Sequence, residues 1–179
     1  MNAPNHASAI KVLDMDGWRA CGLRGRPLEL GDLEPLRSLG ASDPEFAWER
    51  TQQPPEYFEN LLRFRVAHYK THGFGVHGLW LDGELVGQFG LQSLSVSEDQ
   101  VEFAIFLGAQ WRNRGLGSCL SRFLISRSVE AGMTTLWAVV RPDNPEGNRM
   151  VSGLAAEEMG TILHFGEIAR LYRVRIGGL

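Results

Sequence analysis

Apolar and polar residues alternate along the middle of the chain, and this period of two predicts a set of neighbouring strands. We expect strands over residues 74–81 and 84–94, joined by Asp82-Gly83, a dipeptide typical of two-residue hairpin turns. A third strand over residues 101–107 is almost continuously apolar, which is typical of a strand covered on both faces. The pattern therefore predicts an antiparallel meander in the centre of the chain.

Helical spacing of apolar residues takes over before this meander. An extended segment from Cys21 to Leu30 leads into a helix that opens at Gly31, and a second helix runs from Pro54 to Gly73, with proline suited to its first turn. Residues 40–53 are assigned to a loop, with a short helix near 45–50 as an alternative. Residues 1–18 are assigned either to a mobile arm or to an additional strand.

Helices and strands also alternate after the meander. The predicted elements are a helix from Leu116 to Gly132, a strand over 135–140, a helix from Glu146 to Met159, and strands over 162–167 and 169–176. The order β-α-α-β-β-β-α-β-α-β-β predicts an α/β (α+β) chain with an antiparallel start and one strand-helix-strand crossover.

Size and charge narrow the classes of function. The chain has 179 residues, with 18 basic and 21 acidic side chains and a net charge of -3. This length predicts a single domain over residues 1–179, and the charge argues against nucleic acid as a partner. The first ten residues lack a basic stretch followed by an apolar run, and no run of about 18 apolar residues occurs. We therefore expect no membrane association.

The two cysteines bear on the compartment. Cys21 and Cys119 lie far apart in unlike contexts, which argues against a disulfide framework and against a cysteine-rich metal site. This interpretation favours a reducing, cytoplasmic location.

The segment with the clearest chemistry follows the strand over 101–107. It contains Arg112, Asn113, Arg114, Gly115, Leu116, Gly117 and Ser118 and runs directly into a helix. Glycines allow several backbone N–H groups to converge, the helix N-terminus contributes partial positive charge, and the arginines add full charges. These features predict a diphosphate site, with an ordinary solvated basic loop as the alternative.

The spacing Arg112-x-x-Gly115-x-Gly117 between a strand and a helix resembles the GNAT superfamily of N-acetyltransferases, and the element order resembles it as well. This resemblance implies a mixed, mostly antiparallel central sheet flanked by helices, with acetyl-CoA or coenzyme A bound at the loop. The run Ala138–Val151 resembles the branch that acetylates protein amino termini, and it implies a coenzyme contact for Asn144. Gly147 replaces a serine that is common in the family.

Catalysis needs a base for the amine and a donor for the developing oxyanion. Glu102 occupies a position that is often acidic in this branch, and burial among apolar neighbours would raise the pKa of its carboxyl. The alternative is a solvent-facing strand residue. The resemblance implies an oxyanion donor at the backbone of Phe106 or Leu107. The family's tyrosine acid has no counterpart at Ala156 or Val151, so the candidate acids are Tyr172, water, or departure of coenzyme A as thiolate.

Several functions remain open on this sequence. The leading hypothesis is acetyl transfer from acetyl-CoA to a primary amine, either a protein N-terminus or a small molecule such as an antibiotic. The alternative is a catalytically silent coenzyme-binding module, and a monomer and a homodimer are both compatible with the sequence.

Gly73 to Gly78 match a dinucleotide-binding spacing but precede a strand, so we expect a helix end and a turn there. We expect His72 and His77 to be surface or turn residues and not metal ligands.

Overall fold

The computed structural model describes residues 4–13, 17–41, 56–164 and 166–177. The helices are α1 (Pro4–Ala9), α2 (Leu33–Ala41), α3 (Tyr57–His72), α4 (Leu116–Glu130) and α5 (Pro145–Gly153), with 3₁₀ turns at Leu30–Asp32 and Ala109–Trp111. The strands are β1 (Trp18–Ala20), β2 (Leu23–Pro27), β3 (Val76–Leu81), β4 (Glu84–Leu94), β5 (Ser97–Leu107), β6 (Thr135–Val140), β7 (Glu157–His164) and β8 (Glu167–Arg175). The predicted short helix near 45–50 lies outside the described residues.

One mixed sheet holds all eight of these strands, in the order β1-β2-β3-β4-β5-β6-β8-β7. Neighbouring strands are antiparallel except β5 and β6, which α4 connects as a parallel pair. The predicted sheet and crossover are therefore confirmed. The β3–β4 hairpin turns at Asp82 (φ 49°) and Gly83 (φ 87°), which is the left-handed backbone that an Asp-Gly turn supplies.

The two faces of the sheet are covered differently. On one face Phe89, Leu91 and Phe103 join the main core, which includes Leu120 and Leu124 of α4. On the other face α2 and α3 form a smaller cluster of Leu28, Leu36, Leu39, Leu62 and Leu85. Because strand side chains alternate between faces, odd-numbered residues of β5 enter the main core and even-numbered ones face α3.

The N-terminal prediction was wrong in part. Residues 4–9 form a short helix, and Ala9, Val12 and Leu13 are buried in the main core. The segment from Cys21 to Leu30 is not continuously extended, because the chain turns at Cys21 (φ 57°) and Gly22 (φ 78°) between β1 and β2. Burial of an apolar side of residues 9–13 explains why this arm is folded onto the domain.

The C-terminal boundaries also differ from the prediction. Helix α5 ends at Gly153, six residues before the predicted Met159, and β7 already begins at Glu157. The carboxylate of Glu157 pairs across the sheet with Arg173 at 2.6 Å and with Arg175 at 3.5 Å. These cross-strand pairs stabilise the edge strand β7, the start of which the sequence pattern had assigned to a helix.

A disulfide joins Cys21 to Cys119, contrary to the sequence prediction. The β1–β2 turn and the first turn of α4 bring the two Cα atoms to 6.1 Å, although 98 residues separate them in sequence. Sequence distance concealed this contact because only the tertiary fold creates it. The cysteines therefore give no support to a reducing compartment.

His77 is buried in β3 with 1% of its surface exposed, so its prediction as a surface or turn residue was wrong. It packs edge-on against the rings of Trp18 and Tyr69. Burial lowers the pKa of His77 to about 4 and keeps it neutral.

Gly73 ends α3 in the left-handed conformation (φ 73°), as the helix-end interpretation requires. No helix in the described ranges has the length and apolar character that a membrane span needs.

Candidate active site

The loop between β5 and α4 has the backbone of an anion site. Asn113 (φ 57°) and Gly115 (φ 76°) adopt left-handed conformations that turn the chain into the helix. The first backbone bond of α4 runs from Cys119 N to Gly115 O at 3.0 Å, so the N–H groups of residues 116–118 have no acceptor within the helix. These donors point out of the helix N-terminus, where partial positive charge accumulates.

A cleft of about 430 Å³ opens at this loop. Eight of the predicted coenzyme residues line it: Phe106, Leu107, Arg112, Asn113, Gly115, Gly117, Ser118 and Asn144. Two others do not: Arg114 lies over the Trp111 ring at 5.0 Å, and Leu116 packs against the main core. A Cβ atom on Gly115 or Gly117 would meet no atom within 4 Å, so both glycines border open space.

Asn144 holds the opposite wall of the cleft. It caps α5, where its side-chain oxygen accepts a hydrogen bond from Gly147 N at 2.9 Å. A Cβ atom at Gly147 would come within 2.8 Å of Val140 Cγ1. The glycine that replaces the family's serine therefore fits the close approach of α5 to β6.

The cleft continues into a gap between β5 and β6. Among the described residues these strands pair at one position, where Glu102 lies opposite Trp137. Gly108 N donates to Val86 O at 3.0 Å, and because backbone groups alternate in direction, the Leu107 N–H faces the gap while that of Phe106 faces β4. The Leu107 carbonyl accepts from Arg112 Nε at 2.9 Å. Of the two predicted oxyanion donors, the geometry favours Leu107.

A second cavity, of about 470 Å³, lies beyond this gap between β4, β5 and α3. It shares Ile105, Phe106, Arg141, Asn144, Gly147 and Met150 with the cleft, so the two volumes adjoin. Glu102 lines the second cavity and has 4% of its surface exposed. The solvent-facing alternative for Glu102 is therefore wrong.

The protonation of Glu102 is set by its surroundings. Burial raises the pKa of its carboxyl to about 7, while a hydrogen bond from Gln92 and the charge of Arg65 act in the opposite direction. Gln92 Nε2 donates to Glu102 Oε2 at 3.1 Å, and Arg65 Nη1 donates to Gln92 Oε1. A carboxyl with a pKa near neutrality exchanges protons readily at physiological pH.

The polar residues of this cavity that sequence reasoning missed include Arg65, Gln92 and His164. A signal existed for Gln92, since Gln88 and Gln92 interrupt an apolar strand at positions that share the Glu102 face. Arg65 has no such signal because it resembles exposed Arg63 in the same helix. His164 comes from distant β7 and contacts Ser95 Oγ through Nδ1 at 3.0 Å; burial lowers its pKa to about 4.

Tyr172 lies away from both cavities' linings in the described structure. It is a buried residue of the main core, and its hydroxyl lies 3.4 Å from Asn148 Oδ1 and 3.5 Å from Glu158 Oε2. The structure therefore does not bring Tyr172, the candidate acid, together with Glu102.

The chain belongs to the GNAT acetyltransferase family: residues 23–154 match its acetyltransferase (GNAT) domain. The resemblance in the loop and in the element order is thereby confirmed. A comparison with curated protein sequences finds no match.

Solved structures of low sequence identity share the fold. A GNAT-family acetyltransferase from Bordetella pertussis has a TM-score of 0.73 and 15% identity, over 88% of this chain and 98% of its own. RimL, a ribosomal L7/L12 α-N-protein acetyltransferase solved with coenzyme A, has a TM-score of 0.69 and 12% identity over 87% and 95%. The protein yncA from Salmonella typhimurium, solved with acetyl-CoA, has a TM-score of 0.62 and 15% identity over 88% and 96%.

Proposed function

We propose that this protein is an N-acetyltransferase that moves the acetyl group of acetyl-CoA to a primary amine. The observation that carries the proposal is the junction of two cavities in the β5–β6 gap, one bordered by the glycine loop and the other by Glu102. A donor held by the loop and an amine beside Glu102 would meet in this gap. The acetyl-CoA in yncA and the α-amino acceptor of RimL support the same assignment.

The cleft residues fit the diphosphate of coenzyme A. Gly117 and Ser118 line the cleft, and together with the adjacent Leu116 they offer backbone N–H groups at the helix N-terminus; Arg112 adds a cation to the cleft wall. Gly115 and Gly117 leave the space that a bulky anion needs. When bound there, acetyl-CoA supplies a thioester whose carbonyl carbon can accept an amine.

Glu102 would remove the proton that the amine must lose. Its pKa near 7 makes the carboxylate available at neutral pH while keeping it basic enough to accept a proton. Gln92 fixes the carboxylate by donating a hydrogen bond to Oε2. The remaining lone pairs of the carboxylate oxygens are then available to accept the proton of the amine. The base is thus held on the cavity wall before any substrate arrives.

The transfer replaces the C–S bond of the thioester with a C–N bond. The amine lone pair forms the new bond, its proton passes to Glu102, and the sulfur leaves with the electron pair of the broken bond. The Leu107 N–H, which faces the gap, would donate to the carbonyl oxygen as negative charge develops on it. The leaving sulfur of coenzyme A either takes a proton from water or departs as the thiolate.

The test is release of free coenzyme A from acetyl-CoA in the presence of a panel of primary amines and peptides. Replacing Glu102 with Gln should lower the rate by about 100-fold or more while coenzyme affinity stays unchanged, because the base is lost and the loop is intact. The matched control is Glu98→Gln on an exposed part of β5. A silent coenzyme-binding module would bind acetyl-CoA and release none above background with any acceptor.

A further inference from the structure

The second cavity, which we propose holds the amine acceptor, contains a cation whose hydrogen-bonding capacity is only partly used. Arg65 projects from α3 into the cavity wall, and its Nη1 donates to Gln92. Its Nε–H is shielded from solvent and has no acceptor among the described residues. A guanidinium presents its donors as a planar fork that matches a carboxylate, so an enclosed Arg with unused donors is suited to bind one.

The positive charge of Arg65 is also not paired with a carboxylate of the described residues. No carboxylate of the described ranges lies within ion-pair distance of Arg65, and Glu102 is reached through the Gln92 amide. Burial lowers the pKa of Arg65 to about 10, which still leaves it cationic at neutral pH. The other cavity arginine, Arg141, differs because Asp143 (3.6 Å) and Glu167 (3.8 Å) accompany it. An anion is therefore favoured beside Arg65 and a lone ammonium group is disfavoured.

We propose that the acceptor is a free α-amino acid with an apolar side chain, whose carboxylate binds Arg65 while its amino group faces Glu102. The proposal rests on the acetyltransferase function given above. Arg65, Gln92 and Glu102 follow one another as cation, neutral bridge and base, and an α-amino acid carries its carboxylate and amino group on one carbon in the matching order. Tyr57, Leu61, Phe64 and Val76 supply apolar surface for the side chain.

This assignment separates free amino acids from peptide termini. A peptide N-terminus presents a neutral amide where the amino acid presents its carboxylate, so it leaves the Arg65 charge unbalanced. In solution the order of reactivity is the reverse, because the amine of an amino acid amide is less basic and is more often unprotonated at neutral pH. A preference of the protein for the acid over the amide would therefore come from the site.

The experiment compares coenzyme A release with leucine, methionine and phenylalanine against their primary amides. We expect kcat/KM to favour the acids by about 10–100-fold in the parent protein, which is the range for a hydrogen bond to a charged group. In Arg65→Gln the ratio should fall to about one, and Arg65→Lys should retain part of it. Arg63→Gln is the matched control, since Arg63 is exposed and pairs with Glu59. Taking a ratio cancels any effect of Arg65 on Glu102.

A second arm measures binding without turnover. The same amino acids, and isopentylamine as leucine without its carboxylate, are titrated calorimetrically into the protein with coenzyme A present. Binding of the amino acids that Arg65→Gln removes supports the site even if no coenzyme A is released, in which case the proposed transfer is wrong and the carboxylate site stands. Equal or better use of the amides, an acid preference that survives in Arg65→Gln, or no amino acid binding at millimolar concentration overturns the inference.

Discussion

Gln92 and Glu102 lie directly opposite one another on β4 and β5, and Gln92 Nε2 donates to Glu102 Oε2 at 3.1 Å. Arg65 fixes the orientation of the Gln92 amide, because it donates to the amide oxygen and leaves the amide nitrogen facing the Glu102 carboxylate. A donor on the carboxylate favours its ionised form, so Gln92 opposes the effect of burial on the Glu102 pKa. The ionisation of Glu102, the proposed base, therefore depends on a neutral neighbour.

Replacing Gln92 with Leu should shift the pH dependence of catalysis. Without the donor, burial raises the pKa of Glu102 above about 7, and the acid limb of log kcat/KM moves to higher pH by about one pH unit. Initial rates across pH 5.5–9 with a good acceptor measure this limb. Gln88→Leu is the control, because Gln88 lies opposite Phe106 on the same face and should leave the limb in place. An unmoved limb in Gln92→Leu would show that the base is another group.

The raised pKa of Glu102 should also appear in the free energy of unfolding. Between its unfolded value of 4.5 and about 7, the folded chain holds a proton on Glu102 that the unfolded chain has lost, so stability falls as pH rises through this window. The full effect is about 3 kcal/mol. His68, His77 and His164, with pKa values lowered to about 4, act in the opposite direction.

Comparison with Glu102→Gln isolates this contribution, because the histidines are common to both proteins. Urea unfolding at pH 5 and pH 8 should show the parent losing about 2.5 kcal/mol more stability than the variant over that interval. Parallel pH dependences in the two proteins would mean that Glu102 titrates at its ordinary pKa.

An acidic side chain in the loop should separate folding from coenzyme binding. Gly117 lies in the first turn of α4, and an Asp there finds open space and a favourable helix dipole, so Gly117→Asp should fold at least as well as the parent. The same carboxylate faces the proposed diphosphate, and like charges should weaken coenzyme A binding by about 100-fold or more. Calorimetric titration and the coenzyme-induced shift in Tm measure this loss. Gly153→Asp adds the same charge at the far end of α5 and should bind normally.

The sequence could predict the parts of the site that local pattern determines. The Asp82-Gly83 hairpin, the glycine loop and the start of α4 each depend on a few adjacent residues, and the structure has them where they were expected. Glu102 was found through the family resemblance, which places an acidic residue at this position of the strand before the loop. These features need no knowledge of which elements meet in space.

The remaining features arise from contacts between distant segments. Arg65 acquires its role from the α3–β4 contact, and nothing in the helix sequence separates it from exposed Arg63. Strand β7 begins at Glu157, where it pairs with Arg173 of β8, and a helical pattern cannot reveal this pairing. His77 is buried because Trp18 of β1 and Tyr69 of α3 pack against its ring. Each error concerns a residue whose partner is remote in sequence.

The contact between Cys21 and Cys119 gives the last prediction. The bridge closes a loop of 98 residues, and removing such a constraint from the unfolded chain should lower the free energy of unfolding by about 2–4 kcal/mol. Cys21→Ser and Cys119→Ser should each show this loss in urea unfolding, and the parent protein should match them only after reduction. The chain has two cysteines, so thiol titration of the denatured, unreduced parent should find none free. Two free thiols, or variants as stable as the unreduced parent, would show that the β1–β2 turn is held to α4 by packing alone.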